Sequence, residues 1–180
     1  MSRFVVLLRA VNVGGRKLRM DEAREVLQEN GFSAVESHIQ TGNFLVATPL
    51  RSAEKVEQTV GRVLGAHAGY DIVAIARTPA QLTGLVAAVD AIPPSAAVGG
   101  SRYVSFCVRA PTGDYASALE DWAAGGEHAT VIGKDVLLEY AVPFNEAKLT
   151  GARLEKVLGV PGTARNLTVV RALAQKWGEP

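Results

Sequence analysis

The side chains best suited to bind an anion follow an apolar run near the N-terminus. Residues 7–17 read LLRAVNVGGRK, with positive charge from Arg9, Arg16 and Lys17. The pair Gly14-Gly15 lets backbone N–H groups face a ligand with no side chain in the way. Cations and backbone N–H groups together suit a phosphate or carboxylate. Because the segment contains neither a Walker pattern nor GxGxxG, a wide loop that glycine makes easy to turn is the alternative.

A second polar segment, residues 40–43, reads Gln40-Thr41-Gly42-Asn43. It lies between two short apolar runs that predict strands, and glycine and asparagine tolerate the positive φ of a tight turn. A plain turn without any ligand is the alternative, because Thr-Gly-Asn is good turn chemistry by itself.

The elements around these two segments predict their position. Apolar periodicity indicates a strand at residues 4–9, a helix at 20–30, strands at 35–39 and 44–48, a helix capped by Ser52, and a strand at 70–76. This order, β-α-β-β-α-β, is typical of a ferredoxin-like split βαβ unit. In such a unit the loop after strand one and the turn between strands two and three emerge at the same edge, so the two polar segments are expected to meet.

The second half has a related pattern. A capping Thr78 opens an added helix, and prolines and glycines then break the chain at residues 91–101. Beyond the break we predict a strand, a short helix, a hairpin, a helix capped by Asn145 and a last helix capped by Thr163, which makes βαββαα. The predicted fold class is α+β: a ferredoxin-like subdomain at 1–90, a linker at 91–101 and a second, related subdomain at 102–180.

Two cations stand at the predicted starts of these last helices. Arg165 and Lys148 fall in first turns, where the helix dipole disfavours positive charge by ~0.3 to 1 kcal/mol. A shared anion would remove the conflict. For Arg165 an internal ion pair is the alternative, and for Lys148 a solvated side chain.

Composition sets limits on the class of protein. The chain has 180 residues, 48% apolar and 21% charged, with a formal net charge of +1, and so lacks the basic excess typical of nucleic-acid binding. A single cysteine excludes an intrachain disulfide. The sequence shows no secretory leader peptide and no apolar run of ~20 residues that could cross a membrane, so we expect a cytoplasmic protein without membrane contact. The three histidines are scattered without metal-ligand spacing, and we predict neither metal nor cofactor.

Four motifs together resemble the bacterial family called domain of unknown function 1697. They are LLRAVNVGG at residues 7–15, QTGN at 40–43, AKL at 147–149 and TARN at 163–166. The chain differs from the usual family pattern at Ala10 in place of Gly, Thr41 and Ala147 in place of Ser, and Leu167 in place of Trp. The resemblance implies a two-part α+β fold with a ferredoxin-like first part, and it implies no activity.

The motifs and the residue chemistry indicate one composite pocket between the two subdomains. We expect a small anionic ligand there, carrying phosphate or carboxylate, with a nucleotide as the first guess. The expected ligand-binding residues are Arg9, Asn12, Gly14, Gly15, Gln40, Thr41, Asn43, Lys148, Arg165 and Asn166. An enzyme acting on a nucleotide or phosphate ester by electrostatic stabilisation is one alternative. An RNA-binding or structural oligomerisation module is another.

Overall fold

The computed structural model describes residues 1–95, 101–112 and 114–179. The chain forms two compact units, which we call unit 1 (Met1–Gly84 and Leu173–Pro180) and unit 2 (Leu85–Ala172). Each unit contains a four-stranded antiparallel sheet. No helix of the described ranges has the length and apolar character needed to span a membrane.

Unit 1 is built from the first seven elements, although its last helix ends in unit 2. They are β1 (Ser2–Arg9), α1 (Met20–Glu29), β2 (Ser33–His38), β3 (Asn43–Thr48), α2 (Ala53–Ala68), β4 (Val73–Arg77) and α3 (Pro79–Asp90). The sheet order is β2-β3-β1-β4. This order is the ferredoxin-like arrangement that the sequence predicts.

Unit 2 has the same order of elements. They are β5 (Ser101–Cys107), α4 (Ala116–Ala124), β6 (Glu127–Ile132), β7 (Asp135–Tyr140), α5 (Gly151–Leu158), β8 (Gly162–Asn166) and α6 (Leu167–Trp177), which ends in unit 1. Its sheet order, β6-β7-β5-β8, corresponds strand by strand to that of unit 1. The prediction of an α+β fold in two related parts is therefore confirmed.

The predicted order βαββαα for the second part lacked one strand and is corrected to βαββαβα. Residues 162–166 form β8, which pairs antiparallel with β5, so Thr163 does not cap a helix. Helix α5 begins at Gly151 after Thr150, not at Asn145. The physical reason is a buried carboxylate: Glu127 accepts hydrogen bonds from the backbone N–H groups of Lys148 and Leu149 and holds this segment outside the helix.

Local signals in unit 1 act as predicted. Gly31 adopts a φ of +87° after α1, and Phe32 folds back so that its N–H donates to the Leu27 carbonyl. Thr78 and Gln81 form a reciprocal capping box at the start of α3, with N–O distances of 2.9 and 3.1 Å. These local contacts fix where the helices begin and end.

The C-terminal segment belongs to unit 1 because its end bonds to β2. The Trp177 indole N–H donates to Glu36 at 3.0 Å, and the Lys176 ammonium lies 3.0 Å from the same carboxylate oxygen. These contacts hold the pKa of Glu36 below its usual value. The boundaries between the two units therefore lie within α3 and within α6. The sequence predicts a linker at 91–101 instead. Residues 96–100 of that linker lie outside the described ranges.

A close approach between α2 and the segment before β4 gives a first prediction. A Cβ at Gly61 would lie 2.7 Å from the backbone oxygen of Ile72. Gly61→Ala should therefore lower the free energy of unfolding by about 1 to 3 kcal/mol, because backbone must move to admit the methyl group. At Gly84, inside α3, nothing lies within 4 Å of such a Cβ. Gly84→Ala should raise the free energy by up to about 1 kcal/mol through helix propensity. Urea unfolding of both variants tests this, and equal effects would contradict it.

Candidate functional site

The end of β1 and the turn between β2 and β3 meet at one edge of unit 1. The backbone N–H of Leu8 donates to the carbonyl of Gly42 at 2.8 Å. A Cβ at Gly42 would lie 2.8 Å from Leu8 Cβ and from Val11 Cγ2, so only glycine allows the turn to pack this closely. The predicted meeting of the two polar segments is confirmed for this unit.

Asn12 joins the two segments through its side-chain amide. Its Nδ2 donates to the carbonyls of Leu18 at 3.0 Å and Gln40 at 2.9 Å, and its Oδ1 accepts from the Leu18 N–H at 2.8 Å. Both amide hydrogens are therefore used within the protein. Asn12 holds the loop against the turn, which is a positioning role.

Asn43 and Thr41 have a similar role inside the turn. The buried Asn43 donates from Nδ2 to the His38 carbonyl at 3.1 Å and to the Thr41 hydroxyl at 2.9 Å. Arg9, the last residue of β1, is half-buried and pairs in register with Val73 of β4. The two hydrogen bonds of Asn43 hold the turn in shape.

Backbone strain is concentrated at this edge. Ala10, Asn12 and Ile39 have φ values of +56°, +56° and +51°, in the left-handed region that L-residues other than asparagine rarely adopt. For Ala10 and Ile39 this conformation costs about 1 to 2 kcal/mol each. Strained backbone often occurs at ligand-binding sites, where surrounding contacts maintain it.

The Gly14-Gly15 loop presents exposed backbone. Both glycines have positive φ, +58° and +83°, and their N–H groups donate to no acceptor within the described ranges. On one side the Arg16 guanidinium carbon lies 5.2 Å from the centre of the Tyr70 ring, a cation–π contact. Lys17 is exposed beside them.

A polar cleft lies between the start of α1 and the end of β2. It has a volume of about 390 Å³ and is lined by Arg19, Met20, Asp21, Arg24, Ser37, Ile39 and Gln40. Asn12 holds the Gln40 backbone at its border through the bond to that carbonyl. The cleft is therefore part of the same edge as the glycine loop.

Arg24 is the cleft residue that sequence reasoning missed. Its side chain is half-buried and donates to the Ser37 hydroxyl at 2.6 Å, and no carboxylate of the described ranges lies in ion-pair distance. Arg19 differs, because it pairs with Asp21 at 2.6 Å and holds the pKa of that carboxyl at about 2. The only sequence signal for Arg24 is its place beside Ala23, at the border of the buried face of α1.

In unit 2, Arg165 lies on a strand and not in the first turn of a helix. It is 8% exposed and donates to the Thr163 hydroxyl at 2.7 Å and the Ala164 carbonyl at 3.0 Å, and burial lowers its pKa to about 10. In unit 1 the buried Arg77 has the same position: it pairs with Val5 as Arg165 pairs with Val104, and it donates to the preceding alanine carbonyl at 2.8 Å. This repetition favours a structural role for both arginines.

Asn166 and Lys148 are the other two predicted residues of unit 2. Asn166 accepts from the Thr168 N–H at 2.8 Å and so caps α6. Lys148 is exposed, and its backbone is held by Glu127 at 2.9 Å. The helix-dipole argument for Lys148 and Arg165 is therefore wrong, and their binding of a ligand stays a prediction.

The geometry defines an α+β protein made of two ferredoxin-like units, with a cationic, strained edge in the first. The chain belongs to the family described as protein of unknown function (DUF1697), whose sequence pattern matches residues 1–137. The resemblance predicted from the motifs is thus confirmed. The match ends before the motifs around Lys148 and Arg165.

One solved structure shows the same fold over the whole chain. It is the structure of the conserved bacterial protein SP0830 from Streptococcus pneumoniae, at a TM-score of 0.62 and 18% sequence identity, covering 98% of each chain. A comparison with curated proteins finds no match. The family is described only as a protein of unknown function and the pneumococcal protein only as a conserved bacterial protein, so neither supplies a ligand or an activity.

The strained backbone gives a second prediction. Ala10→Gly should raise the free energy of unfolding by about 0.5 to 1 kcal/mol, because glycine adopts a φ of +56° without the steric cost that alanine has. As a matched control, Ala66→Gly on the exposed face of α2 should lower it by about 1 kcal/mol. Thermal and urea unfolding measure both, and a destabilised Ala10→Gly variant would show that the strain is not borne at this residue.

Proposed function

We propose that the edge of unit 1 binds a small anionic ligand that carries a phosphate or carboxylate. The proposal rests on Arg24, a half-buried cation that lines the cleft. Its hydrogen-bond partner among the described residues is the neutral hydroxyl of Ser37. A guanidinium in this setting retains its positive charge and offers a planar set of donors that matches carboxylate and phosphate oxygens.

Other groups at the same edge complement such a ligand. The Gln40 side chain forms no hydrogen bond within the described ranges and lines the cleft, so its amide can donate to a ligand oxygen. The N–H groups of Gly14 and Gly15 and the ammonium of Lys17 are exposed nearby. Together they supply cation, amide and backbone donors to one anion.

The cleft chemistry favours binding over acid–base catalysis. Its carboxylate, Asp21, is engaged by Arg19, and the lowered pKa of about 2 keeps it ionised near neutral pH. A carboxyl group with that pKa is a weak base and cannot serve as a proton donor at pH 7. We also propose that the protein acts in the cytoplasm, a reducing compartment in which a free thiol such as that of Cys107 is usual.

A thermal-shift screen of nucleotides, sugar phosphates and carboxylates tests the proposal. A ligand at 100 times its Kd should stabilise the folded protein by about 2.7 kcal/mol. Arg24→Ala should remove most of this stabilisation, and Arg24→Lys should restore part of it because the charge returns without the planar fork. Arg62→Ala, on the exposed face of α2, is the matched control and should respond as the wild type does.

Two outcomes would contradict the proposal. The first is that no compound of the panel raises the unfolding temperature of the wild-type protein. The second is a compound that stabilises Arg24→Ala as strongly as the wild type, because its anion would then bind elsewhere.

The same screen tests the residues of unit 2. If Lys148 binds the ligand as predicted from its motif, Lys148→Ala should weaken the ligand-induced shift without changing stability in the absence of ligand, since its side chain makes no hydrogen bond within the described ranges. Lys134→Ala in the β6–β7 turn is the control. An unchanged shift would remove Lys148, and with it the AKL motif, from the ligand set.

A further inference from the structure

Ile39, on the wall of the unit 1 cleft, has a backbone conformation that is unfavourable for its residue type. It follows β2 directly and has a φ of +51°. For a β-branched residue this left-handed conformation is an outlier, whereas glycine or asparagine adopts it at lower cost. An isoleucine here therefore makes the turn less stable than either of those residues would.

The side chain of Ile39 does not recover this cost by burial. The residue is 47% exposed, and it lines the same cleft as Arg24. A single exposed apolar side chain is usual on a protein surface. One that is held in strained backbone on the wall of a cleft is not, and strain of this kind occurs at sites that hold ligands. Ile39 therefore indicates an apolar contact with a ligand.

Hydrogen bonds on both sides of Ile39 fix its position relative to Arg24. Ser37, two residues earlier, accepts from Arg24 Nη1 at 2.6 Å. The carbonyl of Gln40, the next residue, accepts from Asn12 Nδ2 at 2.9 Å. The apolar side chain and the guanidinium are thus held on the walls of one cleft.

The charge of the cleft favours a ligand with a single negative charge. The charged residues that line it are Arg19, Asp21 and Arg24, and Arg19 pairs with Asp21 at 2.6 Å. The positive charge of Arg24 is therefore left for the ligand. A carboxylate balances this charge, whereas a phosphate monoester carries about −1.5 to −2 at pH 7 and would leave excess negative charge beside Asp21.

We propose that the ligand of this cleft is a small monocarboxylate with an apolar substituent, aliphatic or aromatic, and this inference rests on the anion-binding function proposed above. The carboxylate binds Arg24, which has five N–H donors and gives one to Ser37 among the described residues. The substituent covers Ile39, and the apolar area that both remove from water contributes to affinity. The volume of about 390 Å³ suits a small acid, because small-molecule sites span about 300 to 1,000 Å³.

NMR titration of the whole chain with acetate, phenylacetate and phenyl phosphate tests the proposal. Phenylacetate should bind about tenfold more tightly than acetate, because only its ring covers Ile39. It should also bind more tightly than phenyl phosphate, because of the charge of the cleft. Arg24→Ala should weaken binding of both carboxylates.

Substitutions at Ile39 separate the apolar contact from the backbone strain. Ile39→Asn should weaken phenylacetate binding about fivefold and leave acetate binding unchanged, while raising the urea midpoint because asparagine tolerates the positive φ. Ile39→Leu keeps an apolar side chain and should bind phenylacetate as the wild type does. Ala34→Asn is the matched control, because Ala34 has a φ of +47° and does not line the cleft. It should raise the urea midpoint without changing the affinity for any probe.

Several results would overturn this inference and leave the anion site of unit 1 in place. They are equal affinities for acetate and phenylacetate, tighter binding of phenyl phosphate, or unchanged phenylacetate binding by Ile39→Asn, each with binding that Arg24→Ala abolishes. If none of the three probes binds, the monocarboxylate is wrong, and the wider anion screen decides the proposed function. Binding that Arg24→Ala leaves unchanged would contradict both.

Discussion

The edge of unit 1 that we propose as an anion site depends on one side-chain amide, that of Asn12. It bonds to backbone atoms of Leu18 and Gln40, which lie six residues after it and twenty-eight residues after it. Asn12 forms these bonds at a φ of +56°, which asparagine tolerates better than other non-glycine residues. They also require a turn that passes close to β1, which Gly42 permits. The exposed glycine loop and the cleft beside it both follow from this connection.

The two units show how one topology leads to different surfaces. In unit 1 the first helix buries Met20, Ala23 and Leu27, and a polar cleft of about 390 Å³ lies between it and β2. In unit 2 the first helix buries no residue completely, and a groove of about 500 Å³ lies between it and β6. Because the strand orders of the two sheets are the same, sheet topology does not account for this difference.

Sequence reasoning succeeded where the deciding contacts are local. The capping box of Thr78 and Gln81 and the left-handed Gly31 involve residues within a few positions of each other, and both could be predicted. Strand β8 could not, because its pairing with β5 joins residues about sixty positions apart and overrides the cap-like Thr163. The late start of α5 has the same origin, since Glu127 binds backbone N–H groups more than twenty residues away.

The same limit applies to the charges of the site. Sequence position favoured Arg165 as a ligand-binding cation in the first turn of a helix, but Arg165 lies on strand β8, before the Asn166 cap of α6, and is 8% exposed. Arg24 carried no such signal, because its partner Ser37 lies in another element, thirteen positions along the chain. What makes a cation available to an anion is the kind of group that faces it. A neutral hydroxyl leaves the charge of Arg24 in place, whereas Asp21 neutralises Arg19 in the same cleft.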